Sequence, residues 1–195
     1  MQPITAEPET LLQELERVLE GPNVVALGGG HGLAKALRAA LGYAGRVDAI
    51  VTVADDGGSS GRLAPHLGIP PPGDLRQSLL AMTAGDSVWR RLFDYRFESA
   101  DVAGHSLGNL IIAALSEIEG SFEAGLMRAE RLLGSAGSVI PACTSQLTLA
   151  AESGGEIIEG QVTIALHRGR VDDVRVLPET AAATPRAVAA IEAAD

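Results

Sequence analysis

A short apolar run that leads into a cluster of glycines limits the fold of this chain more than any other feature. Residues 23–27 have the composition of a buried strand, a glycine-rich segment at 28–32 follows, and a helical pattern of leucines comes next. A second apolar run, 49–54, ends in another glycine-rich segment. Two strands joined by one helix over this distance form a βαβ unit with parallel strands. The sequence therefore predicts an α/β fold with a Rossmann-like, doubly wound and mainly parallel sheet.

The later part of the chain predicts more helices, followed by strands that are separated by turns. Helices are expected at residues 75–83, with Asp74 as the N-cap, at 87–95, from about 104 to 118, and at 122–133. Strand character follows at residues 139–151, 156–167 and 171–177, and Thr184-Pro185 is typical of a helix start. These late strands predict an antiparallel extension of the sheet.

Composition and charge exclude several classes of protein. The chain has 195 residues, of which 46% are hydrophobic, and this suits one globular domain. Its net charge of −10 disfavours binding to nucleic acid. Cys143 is the only cysteine, so a disulfide within the chain is impossible, and no apolar stretch reaches the ~18 residues of a membrane span. The N-terminus carries no recognisable secretory signal, so we expect a cytoplasmic protein.

Two parts of unequal size are expected. Residues 23–195 should form the α/β domain, and residues 1–22 an N-terminal helical extension, because leucines recur at helical spacing over residues 7–19. The sequence leaves the oligomeric state open, and a homo-oligomer is one alternative.

The glycine cluster at residues 28–32 has the composition of a phosphate-binding turn. Glycines after a strand bring backbone N–H groups close to a ligand, and the helix that begins there adds the positive end of its dipole. The segment is not a P-loop, since no Gly-Lys-Ser/Thr follows it, and its spacing departs from G-x-G-x-x-G. The alternative is that these glycines only allow the helix to pack closely on the strand.

A second polar cluster follows the second predicted strand. Ligands of open parallel sheets bind at the carboxyl ends of the strands. Asp55 and Asp56 can therefore bind Mg²⁺, accept a hydrogen bond from a ribose hydroxyl or accept a leaving proton. Arg62, a little further along, can bind a phosphate. A plain polar turn is the alternative, because Asp, Gly and Ser are all favoured in turns.

Two further helix starts carry polar residues. Asp74 and Arg76 open one helix, where the arginine is unfavourable beside the helix dipole and indicates an anionic ligand or a partner. His105, Ser106 and Asn109 open another, and their side chains suit a sugar or a base.

Two possible nucleophiles are set aside. Residues 104–108 match the G-x-S-x-G pattern of hydrolases, but the segment before them is a poor strand, so a serine hydrolase is not expected. Cys143 is predicted to be a small buried residue rather than a nucleophile.

Together these clusters, in this order, resemble the YvcK-type gluconeogenesis factors, a family related to the CofD 2-phospho-L-lactate transferases. The similarity rests on Gly-Gly-Gly-His-Gly-Leu at 28–33, the long run at 51–62, Pro-Pro-Gly-Asp-Leu-Arg at 71–76 and Gly-His-Ser-Leu-Gly-Asn-Leu at 104–110, with Leu92-Phe93 and Arg96-Phe97 between them. It extends from about residue 23 to the last residue. Family members continue after a helix like the last one here with another strand and a second glycine-rich loop, so we expect a domain that lacks the family's C-terminal strands.

The resemblance implies a ligand and a role. It implies binding of a UDP-sugar by a non-catalytic regulatory protein that links carbon metabolism to cell-wall synthesis and cell shape. The alternative is a Mg²⁺-dependent transferase of a phosphate-linked group, similar to 2-phospho-L-lactate transferase, in which Asp55, Asp56 and Asp74 hold the metal. A pure assembly module without a nucleotide is the third class. No catalytic residue is assigned, and Mg²⁺ is the only cofactor considered.

The residues assigned to the nucleotide by these patterns and this resemblance are Gly28, Gly29, Gly30, His31, Gly32, Leu33, Asp55, Ser59, Ser60, Gly61, Arg62, Arg76, His105, Ser106 and Asn109.

Overall fold

The first two strands and the helix between them form the predicted βαβ unit. The computed structural model describes residues 21–99 and 101–195. β1 (Asn23–Gly28) leads into α1 (Gly30–Ala40), and β2 (Arg46–Val51) pairs with β1 in parallel along its whole length. The predicted strand at 49–54 begins and ends later than β2 does. The helix predicted at 7–19 lies outside the described residues.

β2 is the central strand of a parallel sheet with the order β1-β2-β3, where β3 is Ser138–Pro141. Its apolar side chains are buried, but Arg46 and Asp48 form an ion pair of 2.8 Å near its start. These two charged residues interrupt the apolar pattern, which is why the sequence placed the strand too late. The helices between β2 and β3 are α2 (Gly58–Leu67), α3 (Gly73–Ala81), α4 (Val88–Asp94), α5 (Leu107–Ile118) and α6 (Phe122–Leu133).

The late strands form a second, antiparallel sheet, and the predicted fold class is therefore confirmed. β4 (Thr148–Ser153) pairs with β5 (Glu156–Glu159) on one side and β6 (Asp173–Leu177) on the other. The start of the predicted stretch at 139–151 belongs to the parallel sheet instead, as β3.

Two helices complete the chain. The predicted strand at 156–167 is wrong in its second half, because α7 (Gln161–Leu166) follows β5 directly. Gly160 ends the strand with a φ of 95°, and the carboxylate of Asp56 accepts a hydrogen bond of 2.9 Å from the N–H of Val162 in the first turn. The last helix, α8 (Pro185–Glu192), begins after Thr184 as predicted, and the Thr184 side chain accepts from the N–H of Ala187.

The core lies between the parallel sheet and the helices. Leu37 of α1, Leu75 and Leu79 of α3 and Phe93 of α4 are fully buried, and each such side chain contributes about 1.5–3 kcal/mol when it leaves water. Cys143 is buried in the same cluster, as expected. Within the described ranges, the helices are too short or too polar to span a bilayer.

Candidate functional site

A cavity of about 540 Å³ opens at the carboxyl ends of the parallel strands. Gly30 lines it after β1, residues 52–55 line it after β2, and Ala142 lines it after β3. Asp74 of α3 also faces it, Leu147 lines it just before β4, and the antiparallel sheet and α7 supply Leu149, Val176 and Gln161. The volume is within the range of about 300–1,000 Å³ that is usual for small-molecule sites, and its position follows the general rule for open parallel sheets.

The glycine turn between β1 and α1 uses its glycines for two different reasons. Gly30 has a φ of 63°, a left-handed conformation that disfavours other residues, and a Cβ placed on it would meet only open space. Gly29 is extended, but a Cβ there would collide with the Asp74 carboxylate and lie 2.8 Å from the hydroxyl of Thr52. Gly30 is therefore needed for the turn itself, whereas Gly29 is needed for the close approach of α3.

Asp74 connects this turn to α3, and its predicted role as N-cap is wrong. The helix begins at Gly73 after Pro72, so Asp74 lies inside the first turn. Its carboxylate instead accepts a hydrogen bond of 2.8 Å from the N–H of Gly30, a residue 44 positions away. The N-cap prediction uses only neighbouring residues of the sequence, so it cannot predict a hydrogen bond to a residue as distant as Gly30.

Partial burial raises the pKa of Asp74 above its usual value, and the nearby charge of Asp55 adds to that rise. The hydrogen bond from Gly30 opposes it, as do the charges of His31 and Arg76. The cavity therefore contains a carboxyl group that holds its proton more strongly than an exposed aspartate does.

The two adjacent aspartates after β2 have separate roles. Asp55 lines the cavity, and its carboxylate accepts a hydrogen bond of 3.1 Å from the N–H of Gly57. Asp56 is exposed and is bonded to α7 through Val162. In the part of the chain that the structure describes, no three acidic, histidine or cysteine side chains converge as a metal site. The set of Asp55, Asp56 and Asp74 is thus not assembled, although Asp55 and Asp74 share the cavity.

The start of α2 is packed against protein. A Cβ on Gly61 would overlap the backbone of Asp56, and a Cβ on Gly73 would collide with the Ser60 hydroxyl. Ser60 is 4% exposed. Ser60 and Gly61 therefore hold α2 against its own loop and against α3, and their assignment to the ligand stays a prediction.

Ser59 is the centre of a buried polar network. Its hydroxyl lies 3.2 Å from Nδ1 of His105, and it accepts bonds of 3.2 Å from the Asn109 side chain and 3.4 Å from the N–H of Ser106. Burial and the charges of Arg62 and Arg96 lower the pKa of His105. The start of α2 is joined in this way to the start of α5.

Arg76 extends the network. Its guanidinium donates to the Asn109 side-chain oxygen and to the carbonyl of Phe93, each at 3.1 Å, and lies 3.5 Å from the Asp94 carboxylate. The residue is 6% exposed, and burial lowers its pKa. The guanidinium thus bonds groups of the protein itself, and its predicted contact with an anionic ligand or a partner stays a prediction.

The other residues assigned to the ligand lie outside the cavity lining. Arg62 is exposed and donates to the carbonyl of Ala103 at 3.0 Å. Leu33 belongs to the core, while His31 and Gly32 are exposed in the first turn of α1. Ser106 is 1% exposed, which is unlike the accessible serine of a hydrolase elbow.

Several cavity residues were not found from the sequence. Ala142 directly follows β3, so the carboxyl-end rule would have found it if that strand had been placed in the parallel sheet. The residues from the antiparallel sheet and α7 carry no local signal, because only the tertiary fold brings them to the glycine turn.

The parallel sheet, the glycine turn and the cavity at the carboxyl ends define an α/β protein of the Rossmann-like class. The profile of one family, described as 2-phospho-L-lactate transferase CofD, matches residues 24–195. The chain belongs to the CofD family.

Relatives within this family extend the comparison. A Mycobacterium leprae protein is 47% identical over 187 residues, which is 89% of this chain and 52% of that protein. The gluconeogenesis factor of Bacillus subtilis is 40% identical over 176 residues, covering 89% of this chain and 56% of its own. A Bacillus halodurans crystal structure superimposes with a TM-score of 0.86 at 39% identity, over 90% of this chain and 57% of that one. The chain thus spans about half the length of the relatives it matches.

Proposed function

We propose that this domain binds a nucleotide-sugar of the UDP type and acts as a regulatory protein without turnover. The observation that supports it best is the composition of the 540 Å³ cavity, which combines a glycine turn, two carboxylates and an apolar side. These three features suit the three parts of a nucleotide-sugar.

The diphosphate is assigned to the glycine turn. Gly30 lines the cavity at the first position of α1, where the first-turn N–H groups have no partner within the helix and the dipole is positive. The N–H of Gly30 also donates to Asp74, so the phosphate is assigned to the cavity side of this turn, where it meets the positive end of the helix dipole.

The hydroxyl groups and the base are assigned to the remaining sides of the cavity. Asp55 accepts hydrogen bonds, as carboxylates at this place in related folds do from ribose. Leu149 and Val176 provide an apolar surface for a base or a sugar face. In this assignment residues 59, 76, 105, 106 and 109 shape the domain without contacting the ligand.

The regulatory role is proposed from the family. A relative with 40% identity is named gluconeogenesis factor, and a sensor of nucleotide-sugar would link carbon metabolism to cell-wall synthesis and cell shape. Its place of action would be the cytoplasm.

A Mg²⁺-dependent transferase is the second candidate. Asp55 and Asp74 line one cavity, and the charge of Asp55 contributes to the raised pKa of Asp74. A divalent cation between two such carboxylates would offset their repulsion and could bind the diphosphate of a substrate. The residues present thus fit a cation with two protein ligands, as is common for Mg²⁺ bound together with a nucleotide.

Calorimetric titration with UDP-glucose, with and without Mg²⁺, separates the candidates. Saturable binding without metal, with the ligand recovered unchanged, supports the regulator. Binding that requires Mg²⁺ and consumes the ligand supports the transferase. If the wild-type chain binds no UDP-sugar under either condition, both proposals are wrong and an assembly module remains.

A matched pair of variants assigns the binding to the cavity. Asp55→Asn should weaken binding at least tenfold, equivalent to about 1.4 kcal/mol, because Asp55 faces the ligand. Asp56→Asn, at the neighbouring exposed position bonded to α7, should change the affinity less than twofold. Equal effects of the two substitutions would remove the basis for placing the ligand in this cavity.

A further inference from the structure

A second cleft, of about 420 Å³, lies beside α1, α3 and α4. It shares no lining residue with the cavity at the carboxyl ends of the strands. The two spaces are close in sequence, because Gly30 lines the cavity and the adjacent His31 lines the cleft. Among the described residues that line it, the charged ones are Lys35, Arg38, Arg76, Arg90, Arg96 and Asp94.

The charge of this cleft is opposite to that of the chain. Five of the described lining residues are lysine or arginine and one is aspartate, a formal excess of four positive charges in a chain whose net charge is −10. Lys35 is the only lysine of the sequence. Gathering these cations in one concave place is unfavourable unless an anion neutralises them.

Hydrogen bonds to backbone carbonyls hold two of the arginines in place. Arg90 donates to the carbonyl of Thr83 at 2.7 Å and to that of Leu80, and Arg96 donates to the carbonyl of Gly104 at 2.6 Å. A guanidinium has five N–H donors, so each keeps donors for a ligand. These two cations are fixed in position but are not neutralised by those contacts.

Lys35 and Arg38 are the cations of the cleft that have no side-chain partner among the described residues. They lie on the exposed face of α1, at the spacing that places His31 on the same side. Across residues 21–99 and 101–195, neither forms a hydrogen bond or an ion pair. Their ammonium and guanidinium groups are available to a molecule in the cleft.

We propose that this cleft binds a small metabolite that carries at least two phosphate groups, separately from the nucleotide-sugar. Guanidinium and ammonium groups are the usual partners of phosphate, and several cations facing one cleft suit a ligand with more than one phosphate. The volume of about 420 Å³ is usual for small-molecule sites, so the cleft fits a small molecule better than an extended acidic peptide. The ligand would act as an effector of the domain.

Pyrophosphate is the probe that tests this site. Its affinity should be measured by calorimetry in the wild-type chain and in the double variant Lys35→Gln/Arg38→Gln. Arg170→Gln/Arg175→Gln is the matched control, since it removes the same charge from exposed positions near or on β6. We expect saturable binding that weakens at least tenfold in the first double variant and less than twofold in the control.

The Val176→Trp variant distinguishes this cleft from the nucleotide cavity, which Val176 lines. It should bind pyrophosphate with unchanged affinity. Absence of saturable binding in wild type, equal losses in the two double variants, or a loss confined to Val176→Trp would each overturn the proposal. Because the probe is pyrophosphate, a failure to bind UDP-glucose would refute the nucleotide assignment and leave this result unaffected.

Discussion

The glycine turn beside Asp74 and the network around Ser59 differ in what their polar groups face. Both follow glycine-rich sequence at helix starts, and both were assigned to a ligand from those sequences. Gly30, Asp55 and Asp74 border an open cavity, whereas the Ser59 hydroxyl and Asn109 are buried and bonded to each other. A polar helix start therefore marks a place where chain segments meet, and its burial determines whether its polar groups bond the protein or remain open to a cavity.

The largest expected effect is in the buried region, at Gly61. Gly61→Ala should lower the free energy of unfolding by roughly 3 kcal/mol, because the new methyl group would overlap the backbone of Asp56. Gly32→Ala is the control from the open region, since a Cβ there meets nothing within 4 Å and alanine favours the helix. Urea denaturation followed by circular dichroism measures both. If the two variants are equally stable, Gly61 is not a packing residue.

A smaller effect is expected at Arg76. Arg76→Met should lower the free energy of unfolding by about 2 kcal/mol, because it leaves the buried side-chain oxygen of Asn109 without its donor and leaves the Phe93 carbonyl only the longer bond of 3.4 Å from the Ser106 hydroxyl. Arg62→Met, at an exposed arginine with one backbone contact, should change it by less than about 0.5 kcal/mol. Similar losses in the two variants would mean that the network contributes no more than a surface contact.

The sequence predicted the framework of both regions because the framework depends on local patterns. Apolar runs and glycines placed β1, α1 and the parallel pairing, and Phe122 to Leu133 was predicted with the observed bounds. The assignment of site residues was weaker, because it depends on contacts between distant segments. Asp74 accepts a hydrogen bond from Gly30, and Asp56 accepts one from Val162 at a separation of 106 residues. Neither hydrogen bond can be predicted from the residues next to it in the sequence.

A pH effect is expected at Asp74 in the open region. Its pKa is raised in the folded state, so the stability that its proton provides is present below the usual value of 3.8 and is lost as the pH rises through the folded pKa. Asp74→Asn keeps an acceptor for the N–H of Gly30 and has no charge to bury. The variant should therefore gain stability relative to wild type as the pH rises from 3.8 toward neutrality. Urea denaturation at several pH values tests this, and a difference that stays constant or falls would contradict the raised pKa.

The central claim is that the ligand lies in the cavity bordered by the glycine turn and β6. Val176 and Val174 are alternate residues of β6, 40% and 53% exposed, and only Val176 lines the cavity. The affinity for UDP-glucose should be measured in Val176→Trp and Val174→Trp after circular dichroism has shown that both are folded. We predict at least a tenfold loss for Val176→Trp, whose indole would fill the cavity, and less than a twofold change for Val174→Trp. Unchanged binding in a folded Val176→Trp protein would contradict the claim.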